Sequence, residues 1–243
     1  VMPLDAWLPA PVMQAIAAEN NLAETAFFIP DDTDAADYVL RWFTPTLEIG
    51  LCGHATLASG HYLLSRASEK ERVTFRTMKA GVLEVQRDGD GLSVALPAYA
   101  TRPCTDDAAV AALGKAPLEI WSDGKHRTLF LYENEADVRA LDPDVRRLGA
   151  LSDFAYTATA PGEHYDFISR VFVPGAGVDE DPVTGSAHAA LTPFWAARLG
   201  RTDLSAFQAS PRGGALQCRL DGDRVWLSGG CVTVIEGAFI LPD

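Results

Sequence analysis

The segment Gly177–His188 (GVDEDPVTGSAH) joins an acidic, proline-containing turn to a long apolar stretch, residues 189–199, that a glycine follows. The stretch is apolar on nearly every side, and glycine is common just beyond a helix C-terminus, so it predicts a helix enclosed by other structure. The start of such a helix presents free backbone N–H groups beside Gly185 and Ser186, which favours a bound anion. Asp181 lies just upstream. We interpret this segment as one half of an active centre.

The composition is that of a globular protein with an acidic surface. The chain has 243 residues, of which 48% are hydrophobic, and a formal net charge of −13. This charge argues against nucleic acid or an anionic membrane as a partner. No apolar run reaches the length of a membrane span, and the four cysteines form no C-x-x-C pair, so their spacing indicates neither a zinc site nor a disulfide framework. We therefore expect a cytoplasmic protein of one or two domains.

Helix and strand patterns follow one another through the first hundred residues. Residues 7–20 predict an amphipathic helix with proline in its first turn, and residues 51–64 predict a second helix rich in small and apolar residues. Strands are predicted around them, the last two joined by an Asp-Gly-Asp-Gly hairpin turn: 25–29, 38–44, 73–75, 81–87 and 92–96.

Three blocks of the first half recur in the second half in the same order. They are Arg41–Pro45 and Arg170–Pro174, Gly53-His54-Ala55 and Gly185-Ser186-Ala187, and Gly81–Val85 and Gly214–Cys218. The second and third blocks start 28 residues apart in the first half and 29 apart in the second. Matched blocks at matched spacing indicate a duplication.

The duplication predicts an α+β fold of two pseudo-symmetric domains, each a curved β-sheet or half-barrel wrapped round a central buried helix. We place the first domain at residues 1–98 and the second at 99–243, with the option that the C-terminal strands return to the first domain. Two such domains would leave a cleft between them, which is the usual place for a small-molecule site.

Several blocks resemble the phenazine-biosynthesis (PhzF-like) family across essentially the whole chain. They are Glu19–Phe28 (ENNLAETAFF), Leu40–Pro45 (LRWFTP), Leu51–Thr56 (LCGHAT), Glu180–His188 (EDPVTGSAH), Arg212-Gly213-Gly214 and the closing Gly-x-Val run. The resemblance implies the diaminopimelate-epimerase-like fold, a homodimer, and an isomerase that works without metal or organic cofactor. The family normally begins with a further strand and a Gly-Asn-Pro segment near the substrate, so we expect either residues before Val1 or an altered site.

The resemblance also implies the site residues. Glu24 matches the acid/base that moves a proton between two carbons of a small carboxylate substrate, and His54 and Asp181 match the other polar site residues. Each residue also has a simpler interpretation. Glu24 would be a solvated carboxylate at the end of a helix, His54 a structural histidine, and Asp181 a turn or cap residue. Their positions at equivalent ends of the two repeats favour function for His54 and Asp181.

Backbone N–H groups at the two helix starts would bind the substrate. Gly53, Gly185 and Ser186 would supply N–H groups and a hydroxyl for a carboxylate or a developing enolate. Ser186 also suits a helix cap.

Two other functions stay open. In related epimerases and racemases of this fold, a cysteine precedes the glycine of each helix; one cysteine removes the α-proton and the other donates it. Cys52 stands at the first of these positions, and Asp181 occupies the region of the second. A thiol-dependent epimerase is therefore disfavoured. A non-catalytic protein that binds small acids is the third hypothesis.

The acidic run 179–181 lacks the spacing of a calcium loop, and the remaining histidines show no metal-binding motif.

Overall fold

The computed structural model describes residues 1–152 and 155–241. Over these residues the chain forms one large curved sheet with helices packed on it. The strands are β1 (Met2–Pro3), β2 (Thr25–Pro30), β3 (Tyr38–Phe43), β4 (Glu48–Ile49), β5 (Arg72–Thr77), β6 (Val82–Asp88), β7 (Gly91–Pro97), β8 (Arg102–Pro103), β9 (Glu119–Ser122), β10 (Arg127–Leu131), β11 (Ala155–Pro161), β12 (Phe167–Phe172), β13 (Asp203–Gln208), β14 (Gly214–Asp221) and β15 (Arg224–Gly229). The helices are α1 (Ala10–Asn20), α2 (Gly53–Leu64), α3 (Asp107–Leu113), α4 (Glu135–Arg139), α5 (Val145–Leu151) and α6 (Gly185–Leu199), with a 3-10 turn at Pro174–Ala176.

Strand pairing repeats between the two halves of the sheet. In the first half β1 and β2 are parallel, β2 and β3 antiparallel, β3 and β5 parallel, and β5, β6 and β7 successively antiparallel. In the second half β10 and β11 are parallel, β11 and β12 antiparallel, β12 and β13 parallel, and β13, β14 and β15 successively antiparallel, which is the same series of directions. Equivalent strands β7 and β15 pair antiparallel and join the halves. The predicted duplication is confirmed by this topology.

Each half of the sheet curves round one central helix. Helix α2 contacts β5, β6 and β7, and α6 contacts β13, β14 and β15 as well as β7. Both helices begin at the predicted glycines, Gly53 and Gly185. Most of α6 is buried on all sides until its last turn, and no residue of α2 is fully exposed. The fold is thus the predicted pair of pseudo-symmetric half-barrels. Since the sheet continues through β7 and β15, the boundary at residue 98 stays a prediction.

The first helix starts later than predicted, at Ala10 instead of residue 7. Pro9 is its N-cap in an extended conformation, with φ −54° and ψ 138°, and Pro11 lies in the first turn, where a missing N–H costs nothing. The chain leaves α1 through Asn21, which has a left-handed φ of 48°. This reversal turns the chain directly toward Glu24 and β2. Among the residues that the structure describes, no helix is long and apolar enough to cross a membrane.

The core of the second half is built on α6. Trp195 stacks on Phe167 with ring centroids 5.7 Å apart, and its Nε1 donates a 3.0 Å hydrogen bond to Thr159 Oγ1. His188 is fully buried one turn after the helix start, as expected for a packed histidine. Its Nδ1 lies 2.9 Å from the Thr184 carbonyl oxygen, so Nδ1 carries the proton, and Nε2 lies 3.4 Å from Ser169 Oγ. The imidazole is therefore neutral.

Helix α2 packs on β6 through a glycine. A Cβ placed on Gly60 would lie 2.4 Å from Val85 Cγ1. We expect Gly60→Ala to lower the free energy of unfolding by about 1–3 kcal/mol through overpacking, although alanine is the better helix former by about 1 kcal/mol. Urea unfolding measures this. In a Val85→Gly background, which also removes the Val85 Cβ that would lie 2.7 Å from the added carbon, the same change should cost much less; strictly additive effects would contradict this contact.

Burial lowers the pKa of His188 to about 4, from an ordinary value of 6.5. Between these two pH values the unfolded chain binds the proton and the folded chain does not. The contribution of neutral His188 to the free energy of unfolding is therefore fully present above pH 6.5 and is lost as the pH falls toward 4. The loss should reach about 3 kcal/mol. Urea unfolding at pH 7 and pH 4.5 should show a smaller pH dependence for His188→Gln. The exposed His164→Gln should behave as wild type; an unchanged dependence in His188→Gln would disprove the assignment.

Candidate functional site

The two central helices begin against each other. A Cβ added to Gly53 would lie 3.1 Å from Gly185 Cα, and a Cβ added to Gly185 would lie 3.1 Å from Gly53 Cα. Their N-cap residues, Cys52 and Thr184, are both extended, and neither side chain accepts a hydrogen bond from the first turn. The first N–H groups of both helices, including that of Ser186, are thus left without side-chain caps. Two helix dipoles create a positive field at this point.

Glu24 reaches this point from the start of β2. Its Oε2 lies 2.8 Å from His54 Nε2, in the first turn of α2. The Glu24 side chain is 13% exposed and that of His54 is 39% exposed. Although the two atoms form an ion-pair contact, Oε2 is buried and makes no well-aligned hydrogen bond within the described residues. Among the described residues, Oε2 thus has the His54 ring as its close polar neighbour.

Cys52 lies on the other side of the His54 ring. Its Sγ is 3.7 Å from Nε2 and 3.8 Å from Nδ1. Burial raises the pKa of the Cys52 thiol. Cys52 and then Glu24 raise the pKa of His54 well above its ordinary value, against the opposing effect of burial. Cys52, His54 and Glu24 therefore form one electrostatically coupled group.

Asp181 approaches the same site from the turn before α6. It is 6% exposed, and Thr184 Oγ1 donates a short hydrogen bond to its Oδ2. Burial raises the pKa of Asp181, and the nearby positive charge of His54 is the largest influence in the other direction. Glu24 raises it further, while the Arg212 guanidinium lowers it. These couplings show that Asp181, His54 and Glu24 share one electrostatic site.

Gln208, at the end of β13, holds Asp181 and the start of α6 together. Its Nε2 donates to the Asp181 carbonyl oxygen at 2.6 Å and to Thr184 Oγ1 at 3.1 Å, and its Oε1 accepts from the Thr184 N–H at 2.7 Å. The side chain is fully buried. Our sequence analysis missed this residue. The available signal was a polar residue on the inward face of an alternating strand, after Leu204 and Ala206.

The predicted site residues thus lie as follows. Glu24 and His54 are in contact, Gly53 and Gly185 are in contact, and Asp181 lies beneath the start of α6. The Ser186 carbonyl oxygen accepts a 3.1 Å hydrogen bond from Arg127 Nε, which ties the first turn of α6 to β10. The roles given to these residues stay predictions.

Two surface cavities of about 600 Å³ and 720 Å³ lie elsewhere, between residues 103 and 121 and between residues 33 and 74. None of the six predicted site residues lines either cavity. Neither cavity combines buried ionisable groups with helix N-termini, so both are weaker candidates than the site at the start of α2 and α6.

We expect Gln208→Leu to lower the free energy of unfolding by at least about 2 kcal/mol. The substitution leaves the buried Thr184 N–H and Asp181 carbonyl without their partner, and each such group costs about 1–3 kcal/mol. Urea unfolding and amide hydrogen exchange at Thr184 measure the effect. Gln217→Leu, on the exposed face of β14, is the matched control and should change stability by less than about 0.5 kcal/mol. Equal effects of both substitutions would argue against a stabilising role for the hydrogen bonds of Gln208.

Comparison with known proteins agrees with this geometry. A sequence model of the family described as phenazine biosynthesis-like protein matches residues 3–237. An uncharacterized isomerase of Pseudomonas aeruginosa is 45% identical over 99% of this chain and 92% of its own length. The crystal structure of a PhzF-family protein from Enterococcus faecalis superposes with a TM-score of 0.83 at 40% identity, covering 94% of this chain and 86% of that one.

The fold extends to more distant proteins. A probable proline racemase from Agrobacterium radiobacter superposes with a TM-score of 0.60 at 13% identity, covering 85% of this chain and 73% of that one, which shows a shared fold alone. Repeated half-barrels, paired helix starts and a family match over nearly the whole sequence lead to one assignment. This chain belongs to the phenazine biosynthesis-like (PhzF) family, with the diaminopimelate-epimerase-like fold.

Proposed function

We propose that the protein is an isomerase that shifts a proton within a small carboxylate metabolite, with Glu24 as the acid/base. One observation carries the proposal: a nearly buried carboxylate lies against His54 where two helix N-termini without side-chain caps meet. A base beside an anion-binding position suits removal of a proton from carbon, because the charge that develops can be delocalised toward the bound carboxylate.

The proposed reaction is balanced within the substrate and Glu24. Glu24 takes a proton from a carbon next to the substrate carboxylate or conjugated with it, and the electron pair left behind forms an enolate. The protonated Glu24 then returns the proton to a different carbon, which leaves the substrate formula and the enzyme unchanged. This cycle needs no redox partner.

The helix starts support the binding half of the proposal. The N–H groups of Gly53, Gly185 and Ser186 belong to first turns that no side chain caps, so they suit a substrate carboxylate. The hydrogen bonds that they donate would strengthen as the negative charge on the carboxylate grows. Asp181, held by Thr184 and Gln208, is positioned to orient a polar group of the substrate. The Pseudomonas aeruginosa relative is named an isomerase, which agrees with this reaction class.

Cys52 supports a second candidate, a thiol-dependent epimerase, because its sulfur lies beside His54. The structure corrects one detail of the sequence argument. The position equivalent to Cys52 is Thr184, the N-cap of α6, and not Asp181, which lies three residues earlier and bonds to Thr184. A hydroxyl in place of the second thiol leaves a two-thiol mechanism incomplete. A non-catalytic acid-binding protein is the remaining alternative.

The test is a panel of small carboxylic acids incubated with the protein in deuterated water, with mass spectrometry to find a compound that gains deuterium. Glu24→Gln keeps the shape but removes the base, so we expect exchange to fall by at least about 10²–10⁴-fold while ligand binding persists. Glu19→Gln, on the exposed end of α1, is the matched control.

The outcomes separate the three candidates. Cys52→Ala should reduce exchange far less than Glu24→Gln. If Cys52→Ala abolishes exchange and Glu24→Gln does not, the thiol-dependent epimerase replaces the isomerase. A compound that binds the wild type without exchange would favour the non-catalytic protein. We also propose a cytoplasmic homodimer; sedimentation analysis and cell fractionation test these two points.

A further inference from the structure

Three potential metal ligands of different chemical types converge on one point of the site. Glu24 Oε2, Cys52 Sγ and a ring nitrogen of His54 all lie within 4.8 Å of one another. We propose that these three groups bind Zn²⁺ reversibly and that bound Zn²⁺ inhibits the protein. The binding part stands on geometry alone, whereas the inhibition part rests on the isomerase function proposed above.

The ligand atoms can meet one tetrahedral ion after the His54 ring turns. Zn²⁺ binds thiolate sulfur at about 2.3 Å and imidazole nitrogen at about 2.0–2.1 Å, which separates the two ligand atoms by about 3.5 Å. Cys52 Sγ is 3.7 Å from His54 Nε2 and 3.8 Å from Nδ1, so it faces the ring and not the lone pair of either nitrogen. The His54 side chain, which is 39% exposed, must therefore rotate before one ion can bond to both residues. Glu24 Oε2 is 2.8 Å from His54 Nε2, shorter than the separation of about 3.3 Å that a tetrahedral ion needs. A shift of the carboxylate by a fraction of an ångström corrects this separation, and Oε2 makes no well-aligned hydrogen bond that would oppose the shift.

The ligands also lie near one another before any ion arrives. Cys52 is the N-cap of α2 and His54 is its second residue, so the start of the helix fixes their relative positions. The thiol is buried, whereas the 39% exposure of the His54 side chain gives an ion a route from solvent. Three protein ligands leave the fourth tetrahedral position for water, which is the coordination of an open zinc site.

Ligand type determines which ion fits. Sulfur and imidazole nitrogen favour Zn²⁺ and similar ions over Mg²⁺ or Ca²⁺, which prefer oxygen. The helix N-termini oppose a cation, but a metal-bound thiol is deprotonated, so Cys52 and Glu24 together supply two negative charges. Asp181 adds a third nearby negative charge. The charge of the ion is thus compensated locally.

Binding would remove the group on which the proposed reaction depends. An ion on Glu24 Oε2 occupies the lone pair that takes the proton, and it also fixes His54. The expected consequence is inhibition that a chelator reverses, rather than activation.

Metal binding can be measured without a substrate. Chelator-treated, reduced full chain is titrated with Co²⁺, which substitutes for Zn²⁺ and shows a near-ultraviolet charge-transfer band when bound to thiolate. We expect one equivalent to bind with this band and Zn²⁺ to displace it. Cys52→Ser should abolish the band and weaken Zn²⁺ binding by more than about 100-fold, since loss of an outer-shell partner alone costs about 10–100-fold. Glu24→Gln and His54→Gln should weaken it as well.

Cys104→Ser and Cys231→Ser are the matched controls, because both cysteines are less buried than Cys52 and neither belongs to the cluster. Both should keep the band, and circular dichroism checks that every variant is folded. Absence of the band in wild type, or its persistence in Cys52→Ser, would overturn the site. If Zn²⁺ binds as expected while deuterium exchange continues unchanged, the inhibition is wrong and the site stands. If no carboxylate exchanges at all, the proposed function fails, but the Co²⁺ result still decides the metal site.

Discussion

The structure depends on the close approach of Gly53 and Gly185. Each residue lacks a side chain where a Cβ would lie 3.1 Å from the other's Cα, so a larger residue at either place would push the first turns of α2 and α6 apart. Leu96 of β7, the strand that joins the halves, would contact a Cβ on either glycine at 3.1 or 3.3 Å. The contact between helix starts therefore fixes how the two half-barrels meet, and it sets the position of every residue of the site.

A symmetric scaffold carries an asymmetric set of side chains. The first half supplies Glu24, Cys52 and His54, of which the histidine and the carboxylate are in contact. The second half supplies a buried polar network in which Gln208 and Thr184 hold Asp181. The duplicated backbone gives two similar helix starts, whereas the side chains beside them differ between the halves. The proposed acid/base chemistry requires this kind of asymmetry, because the two faces of a substrate differ.

Sequence patterns were sufficient for the fold because the duplication is visible in short blocks. Matching glycines at 53 and 185 placed both central helices, and α2 and α6 begin at these residues, two positions after the predicted start at 51 for α2. Local rules were less exact at the first helix, where Pro9 delays the start to Ala10. The correspondence of Cys52 with Thr184 follows from the matched glycines, and the observed N-caps of both helices agree with it, although the more conspicuous Asp181 lies only three residues away.

The contacts inside the site lay beyond sequence reasoning for a physical reason. Glu24 and His54 are 30 residues apart, and their 2.8 Å contact depends on the pairing of β2 beside α2, which no local pattern encodes. Gln208 is likewise distant in sequence, 24 residues from Thr184 and 27 from Asp181, the residues that it holds. Its one local signal, a polar residue at an inward position of β13, indicates burial but does not identify its partners.

Side-chain caps are present at three short helices and absent at both central ones. Helices α3, α4 and α5 have Asp106, Asn134 and Asp144 as N-caps, and each of these side chains accepts a first-turn N–H. Such a cap contributes about 0.5–2 kcal/mol to stability. Helix α1, which follows Pro9, lacks a side-chain cap, and so do the two central helices, although their cap positions hold cysteine and threonine. Thr184 directs its hydroxyl to Asp181 instead. What distinguishes α2 and α6 from α1 is that their uncapped starts touch each other and lie beside ionisable side chains. Two helix dipoles and their free N–H groups thus meet at one point, and this convergence is the strongest physical reason to place an anionic ligand there.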